Sequence, residues 1–255
     1  MFSPNTAVPA FCLLLIIRAA AQDNKTVGII GGRYARLGEL PYQVSLRMNG
    51  IDDCGGSLIS ATFVLTAAHC LEGVDIKKFK VIAGVIDLKE ANNGQVFDAT
   101  KFIIHPRFNT DSLDYDIALI RLSQPAIFNA NVQPIAMAPA DANYPEYTVS
   151  ITSGYGVIDP FGTTQSCLKW AHILLWGRRH CNPFYFRNIT DSMMCAGDPR
   201  GRQGPCEGDS GGPLTVNGVL IAVHSFGYGC GVPYYPSVFQ YLPYSRQWVD
   251  ENINS

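Results

Sequence analysis

The sequence predicts an all-β protein made of two barrel-like units and a terminal helix. Apolar residues recur in short blocks that are rich in Val, Ile, Phe and Thr and are bounded by turn residues. These blocks are Tyr42–Leu46, Phe63–Leu65, Phe79–Ile86, Thr100–Ile104, Ile117–Leu122, Tyr147–Ile151 and Pro213–Val223. Blocks of this length and composition are typical of strands. Asn217-Gly218 divides the last block and predicts a two-residue hairpin turn, because both residue types tolerate positive φ. Only the end of the chain, from about Tyr244 to Ile253, has helical spacing.

Composition supports a packed protein and excludes several other classes. The chain has 255 residues, of which 47% are hydrophobic and 16% charged, so it can bury one large or two small cores and is not disordered. Its 19 basic and 21 acidic residues give a net charge of -2, without a Lys/Arg run that could follow a phosphate backbone. We therefore expect no nucleic-acid partner. The stretch from Pro125 to Pro145 is rich in Pro, Ala and Asn and suits a crossing between the two units.

The N-terminal segment has the pattern of a secretory signal peptide. Residues 11–17 form an apolar run, and Ala19-Ala20-Ala21 supplies the small residues of a cleavage site, so residues 1–21 are predicted to be removed before Gln22. The alternative, a membrane anchor, is disfavoured because Arg18 ends the run well short of the ~20 residues that span a bilayer. We expect a secreted, extracellular protein without membrane association. Asn24-Lys25-Thr26 and Asn188-Ile189-Thr190 are candidate glycosylation sites.

The cysteines also indicate export. If Cys12 leaves with the signal peptide, seven cysteines remain, and none forms the paired C-x-x-C spacing that is typical of metal sites. Structural disulfides in an oxidising compartment are the favoured interpretation. An odd number leaves at least one cysteine free or bonded to another chain.

Three motifs carry side chains that suit acyl transfer. Thr66-Ala67-Ala68-His69-Cys70 places a histidine after a strand, and Asp114-Tyr115-Asp116-Ile117 leads from an acidic turn into a buried strand. Each of these alone is typical of ordinary structure. Gly208-Asp209-Ser210-Gly211-Gly212-Pro213 differs, because a serine flanked by this much glycine lies on a tight turn where backbone N–H groups can point outward at a ligand.

Together, and in the order His, Asp, Ser, these motifs resemble those of the trypsin/chymotrypsin-like serine proteases. The resemblance covers the chain from Ile29 to its end and implies a serine endopeptidase with two six-stranded antiparallel β-barrels and a C-terminal helix. The protease domain would be 29–255, with barrels at about 29–128 and 129–243 and the helix at about 244–254. The family implies protein or peptide substrates, proteinaceous inhibitors, a monomer and no cofactor. The alternative is an inactive secreted homologue that acts as a binding protein, although such homologues usually replace the serine or histidine.

The resemblance assigns a role to each motif. Ser210 is the nucleophile, His69 the general base and then acid, and Asp116 the residue that orients the imidazole. A serine hydroxyl is too weak an acid to ionise at neutral pH, so it needs a base of pKa about 6.5 whose other nitrogen meets a buried acceptor. The oxyanion hole would be the N–H groups of Gly208 and Ser210. The substrate backbone would pair with Ser225, Phe226 and Gly227.

The same resemblance implies a zymogen. Ile29 matches the family's activated N-terminus, whose freed amine folds inward and pairs with the aspartate before the nucleophile, here Asp209. Residues 22–28 would then be an activation propeptide. Gly28 precedes Ile29, where members activated by trypsin carry Arg or Lys, so the predicted activating protease is not tryptic.

Disulfide pairing is also implied by the matching motifs. The pairs are Cys54 with Cys70, Cys181 with Cys195, and Cys206 with Cys230. Cys167 is left over, and we expect a buried, inert thiol there, with an intermolecular bond as the alternative.

The predicted specificity pocket is neutral. Gly204 lies six residues before Ser210, where trypsins carry an aspartate, and the walls match Gly227 and Ser237. We expect a chymotrypsin-like preference for large apolar or aromatic residues, with an elastase-like preference as the alternative. The stretch from Gly84 to His105 lacks the charged ligands of a calcium loop, so no metal site is predicted. The remaining histidines are interpreted as ordinary structural or surface residues; they are His105, His172, His180 and His224.

Overall fold

The computed structural model describes residues 29–157, 166–185 and 188–254. The predicted signal peptide 1–21, the propeptide 22–28 and the site at Asn24 lie outside the described residues. Within the described ranges, no helix is long and apolar enough to cross a membrane.

The first barrel is a closed antiparallel sheet of six strands. After a two-residue strand, Arg33–Tyr34 (β1), its strands are Gln43–Met48 (β2), Ile51–Leu58 (β3), Phe63–Thr66 (β4), Phe79–Ala83 (β5), Gln95–Ile104 (β6) and Ala118–Leu122 (β7). They pair in the order β2-β3-β4-β7-β6-β5, and β5 closes the barrel by pairing with β2. Val44, Leu65 and Ile120 are fully buried, which accounts for the apolar blocks of the sequence.

The second barrel repeats this architecture. After Ala136–Met137 (β8), its strands are Val149–Gly154 (β9), Lys169–Trp176 (β10), Met193–Gly197 (β11), Pro213–Val216 (β12), Val219–Phe226 (β13) and Ser237–Tyr241 (β14). The order is β10-β11-β14-β13-β12-β9, closed by pairing between β9 and β10. The predicted all-β fold with two six-stranded barrels is therefore confirmed.

Two local features connect the fold to particular residues. Asn217 and Gly218 have φ of 50° and 76° and join β12 to β13, as a hairpin with these residues requires. The C-terminal helix is Leu242–Ile253, and shorter helical turns are Ile76–Lys78, Leu88–Asn93, Arg178–Cys181 and Asn182–Phe184. Leu242 and Val249 on the C-terminal helix pack against the core of the first barrel.

The first described residues lie against the second barrel. β1 pairs with β10, and Ile30 forms a bridge with Gly204, whereas the sequence analysis placed this segment in the 29–128 unit. A two-residue strand has too little periodicity to reveal its partner. The barrels also touch directly, because the Ser153 hydroxyl of β9 donates to Gln43 Oε1 of β2 at 2.6 Å. The candidate site lies at this junction.

Candidate active site

His69 is held where the first barrel ends. β4 ends at Thr66, and the next two residues, Ala67 and Ala68, are fully buried, so His69 is the first residue after the strand with an exposed side chain. The disulfide between Cys54 on β3 and Cys70 ties this exit to the neighbouring strand. The His69 side chain keeps 28% of its surface exposed, so the ring is anchored on one side and open on the other.

Asp116 fixes the orientation of that ring. Its side chain is fully buried, and it accepts hydrogen bonds from the His69 backbone N–H at 2.9 Å and from His69 Nδ1 at 2.7 Å. The Ser225 hydroxyl donates a further, short bond to the same carboxylate. Because a carboxylate only accepts, Nδ1 carries the proton and Nε2 presents a lone pair. Burial lowers the pKa of His69, but the Asp116 hydrogen bond and the charges of Asp116 and Asp53 outweigh it and raise the pKa above its ordinary value.

Gln240 completes this arrangement, although sequence reasoning missed it. Its Oε1 accepts the Asp116 backbone N–H at 3.0 Å, and its Nε2 donates to the Ser192 carbonyl at 2.8 Å. The only signal in the sequence was a glutamine that follows the apolar residues Val238 and Phe239. Its buried amide links β14 to the loop that carries the aspartate.

The Ser210 turn packs against the strands that position His69. Gly208 and Gly211 have φ of 85° and 77°, the left-handed region that glycine adopts without strain. A Cβ on Gly211 would lie 2.1 Å from Thr66 Oγ1, so no larger residue allows this approach. The Gly55 N–H donates to the Ser210 carbonyl at 2.7 Å. Within the described ranges no hydrogen bond joins the Ser210 hydroxyl to His69, and such bonds commonly tighten only when substrate is bound.

Asp209 organises the backbone of the same turn. The residue is 1% exposed, and its carboxylate accepts from the N–H groups of Gly156 at 2.8 Å and Cys206 at 2.9 Å. Burial raises the pKa of Asp209 to about 7, against the lowering effect of these two donors and of the Lys169 charge. Among the hydrogen bonds of the described residues, the N–H groups of Gly208 and Ser210 donate none, so both are free to meet a ligand.

Ile29 is fully buried, and the neighbouring Ile30 carbonyl accepts from the Gly204 N–H at 3.1 Å. This places the predicted new N-terminus beside the predicted pocket. In the uncut chain the Ile29 nitrogen is an amide, and no ion pair with Asp209 is found within the part of the chain that is described.

The predicted pocket residues come together around a disulfide. The bond between Cys206 and Cys230 joins the segment of Gly204 to that of Gly227. A Cβ on Gly204 would meet nothing within 4 Å, whereas one on Gly227 would lie 3.4 Å from Ser237 Oγ. The pocket therefore has open space at Gly204 and a hydroxyl on its wall. Phe226, at the end of β13, rests edge-on against the Tyr185 ring with centroids 5.7 Å apart.

The three predicted disulfides are present, with Cys181 bonded to Cys195 as the third pair. The expectation of an inert thiol at Cys167 is wrong, because this cysteine is also disulfide-bonded. The family resemblance implies a partner near the mature N-terminus, where residues Arg33 to Leu37 include no cysteine.

Two six-stranded barrels, with a histidine held by a buried aspartate and a glycine-flanked serine at their junction, define a serine hydrolase of the chymotrypsin fold. The family model described as Trypsin matches residues 29–249. The chain therefore belongs to the trypsin family, and it is a serine endopeptidase that acts on protein substrates.

Individual relatives support this assignment. The chain is 34% identical to the vitellin-degrading protease of Bombyx mori, over 96% of this chain and 94% of the relative. It is 37% identical to trypsin-1 of Astacus astacus, over 88% and 99% of the two chains. With trypsin-3 of Salmo salar the identity is 36%, over 93% and 98%. The similarity therefore extends along nearly the whole length of each protein.

Proposed function

We propose that this endopeptidase cleaves peptide bonds through an acyl-enzyme formed on Ser210. The observation that carries the proposal is the buried Asp116, which holds His69 Nδ1 at 2.7 Å and leaves Nε2 with a lone pair. Nε2 takes the hydroxyl proton as Ser210 Oγ attacks the carbonyl carbon of the substrate. His69 then gives that proton to the departing amine as the C–N bond breaks. A water molecule, deprotonated by His69, hydrolyses the resulting ester and regenerates Ser210.

Backbone groups would stabilise the tetrahedral intermediate and align the substrate. The undonated N–H groups of Gly208 and Ser210 are proposed to bind the oxyanion of the tetrahedral intermediate, where removal of one such donor typically costs about 10²–10³ in rate. Substrate would pair as an additional strand along Ser225, Phe226 and Gly227. Gly227, which directly follows the end of β13, is exposed and can meet such a strand.

We infer a neutral pocket with chymotrypsin-like specificity for Phe, Tyr, Leu or Met before the scissile bond. Gly204 brings no charge to the open space around it, so a substrate guanidinium would be buried unpaired at a cost of several kcal/mol. The Ser237 hydroxyl near Gly227 favours an elastase-like preference for smaller residues as the second candidate. Peptide amides that differ only before the scissile bond distinguish the two, and fast cleavage after Arg would refute both.

We further propose secretion and activation by cleavage between Gly28 and Ile29. Three disulfides suit an oxidising compartment, and the buried position of Ile29 next to the Gly204 segment suits an N-terminus that is drawn inward. The new amine would pair with Asp209 and order the Ser210 turn. N-terminal sequencing of active protein tests this, because a start other than Ile29 contradicts it.

A fluorophosphonate probe tests the whole mechanism. Only an activated Ser210 reacts, so we expect labelling of the cleaved protein and none of Ser210→Ala, whose kcat should fall by about 10⁶. The alternative function, an inactive binding protein, predicts an unlabelled Ser210 in both. A loss of only a few-fold in Ser210→Ala would show that the serine is not the nucleophile.

A further inference from the structure

The segment Leu113–Asp116 lies between β6 and β7 and carries the aspartate that orients His69. Its backbone is strained, because Leu113 and Tyr115 have φ of 56° and 53°. This left-handed region is unfavourable for residues with large side chains, and such a conformation persists only where surrounding contacts hold it. The contacts that hold this segment therefore also determine where Asp116 lies.

Neighbours in the first barrel hold Tyr115. Its ring stacks on the His105 ring with centroids 4.7 Å apart, and the Arg107 guanidinium carbon lies 4.0 Å from its centroid. Both neighbours follow the end of β6, so they attach the segment to the barrel from which it extends. Asp116, however, also accepts from the Ser225 hydroxyl of β13 in the second barrel. The segment must therefore be held in register with that barrel as well.

Asp114 attaches the segment to the second barrel. Its Oδ1 accepts a hydrogen bond from the Thr190 hydroxyl at 2.7 Å and a short one from the Ser192 hydroxyl. Both donors lie directly before β11, in the loop that the disulfide between Cys181 and Cys195 closes. Hydrogen bonds to a carboxylate are stronger than those between neutral groups. A single carboxylate oxygen thus ties this part of the first barrel to a cross-linked loop of the second.

A second path through Ser192 reaches Asp116. The Ser192 carbonyl accepts from Gln240 Nε2 at 2.8 Å, and Gln240 Oε1 accepts from the Asp116 backbone N–H at 3.0 Å. Ser192 and Gln240 are 2% and 1% exposed. Together with the Ser192 hydroxyl, which donates to Asp114, these contacts close a ring of hydrogen bonds. Because a fully bonded buried network is rigid, the ring fixes Asp114 and Asp116 together.

We propose that Asp114 is a positioning residue whose carboxylate, held by Thr190 and Ser192, sets the placement of Asp116 against His69. This rests on the proposed function of Ser210 and deepens it. Without the Asp114 oxygen, the strained segment can relax away from the second barrel, and the Asp116 carboxylate loses its alignment with the imidazole. A misplacement of about 1 Å in an active site can cost about 100-fold in rate.

Asp114 acts on His69 through placement and not through its own charge. The carboxylates whose charges raise the pKa of His69 are Asp116 and Asp53, and Asp114 is not among them. The charge of Asp114 acts on His105 instead, and burial still lowers the pKa of that histidine to about 4. Displacement of Asp116 would weaken both its hydrogen bond and its charge effect, and so lower the pKa of His69.

The test measures kcat and KM against pH in protein cleaved before Ile29, with the peptide amide that the parent cleaves fastest. We expect Asp114→Ala to lower kcat by about 10- to 100-fold with little change in KM, and to move the acid limb of kcat/KM to lower pH. Asp114→Asn keeps an acceptor oxygen for both hydroxyls and should behave like the parent. The control Asp111→Ala removes an exposed carboxylate of the same loop, which makes no hydrogen bond or ion pair within the described ranges, and should also match the parent.

Rates are divided by the amount of protein that a fluorophosphonate labels to completion, so that partial unfolding does not count as lost activity. A parent that is not labelled contradicts the proposed function itself. With a labelled parent, an unchanged kcat and acid limb in Asp114→Ala would overturn the positioning role, and so would an equal shift in Asp114→Asn.

A second variant approaches the same contact from the other barrel, in case Asp114→Ala does not fold. Ser192→Ala removes the hydroxyl that donates to Asp114 and keeps the carbonyl that binds Gln240. It should move the acid limb of kcat/KM in the same direction, to lower pH. An acid limb at the parent position in Ser192→Ala would overturn the proposal.

Discussion

The stability of the uncut chain should pass through a minimum near neutral pH, because Asp209 and Lys169 are both buried. Asp209 is 1% and Lys169 2% exposed. Lys169 pairs with Gly154 across β9 and β10, and a Cβ on Gly154 would lie 2.0 Å from Asp209 Oδ1, so both ionisable groups occupy one face of the sheet. Burial raises the pKa of Asp209 from 3.8 to about 7 and lowers the pKa of Lys169 from 10.5 to about 8.

Whether stability rises or falls with pH depends on whether the folded or the unfolded chain binds more protons. Between pH 3.8 and about 7 the folded chain keeps a proton on Asp209 that the unfolded chain has lost, so the free energy of unfolding decreases as the pH rises. At about 1.4 kcal/mol per pH unit, the upper bound of this decrease is about 4 kcal/mol. Between about 8 and 10.5 the unfolded chain keeps the Lys169 proton that the folded chain has lost, so stability increases again. The upper bound of this recovery is about 3 kcal/mol.

The assay is urea unfolding of the uncut Ser210→Ala chain from pH 4 to 10, since this variant cannot digest itself. A second chain also carries Asp209→Asn. The difference between the free energies of unfolding of the two chains at each pH isolates the acid limb, which is the decrease in stability that Asp209 causes below about pH 7. Lys169→Met isolates the alkaline limb in the same way. Parallel profiles for the parent and Asp209→Asn between pH 4 and 7 would refute the reasoning. Cleavage before Ile29 should flatten the acid limb, because the proposed amine would lower the pKa of Asp209.

Two further predictions concern the neighbours of the site. Gly154→Ala should reduce fluorophosphonate labelling by about 100-fold or more, because its methyl group would displace the Asp209 carboxylate and with it the Ser210 turn; labelling at the parent rate would contradict this. Ser225→Ala removes one donor from Asp116 and leaves its charge to act more strongly on His69. The acid limb of kcat/KM against pH should therefore move to higher pH, and a move to lower pH would exclude this role for Ser225.

The sequence predicted the strands and the reactive motifs well, because both depend on short-range patterns. Apolar blocks, the Asn217-Gly218 turn and the glycines around Ser210 each have a local physical reason. Gln240 was not assigned a role, because its importance depends on which loop and strand lie opposite it. The prediction for Cys167 was wrong for a similar reason, because the partner of a cysteine depends on proximity in space. A one-dimensional pattern does not contain that information.

The hydrogen bond from the Gly55 N–H to the Ser210 carbonyl crosses from one barrel to the other. If the two barrels separated slightly while each remained folded, this bond would break, and the enzyme would be inactive although its circular dichroism spectrum hardly changed. Exchange of the Gly55 amide proton with solvent would report such openings at a single atom. In mild denaturant this proton should exchange in step with the loss of activity, before the amides inside either barrel begin to exchange.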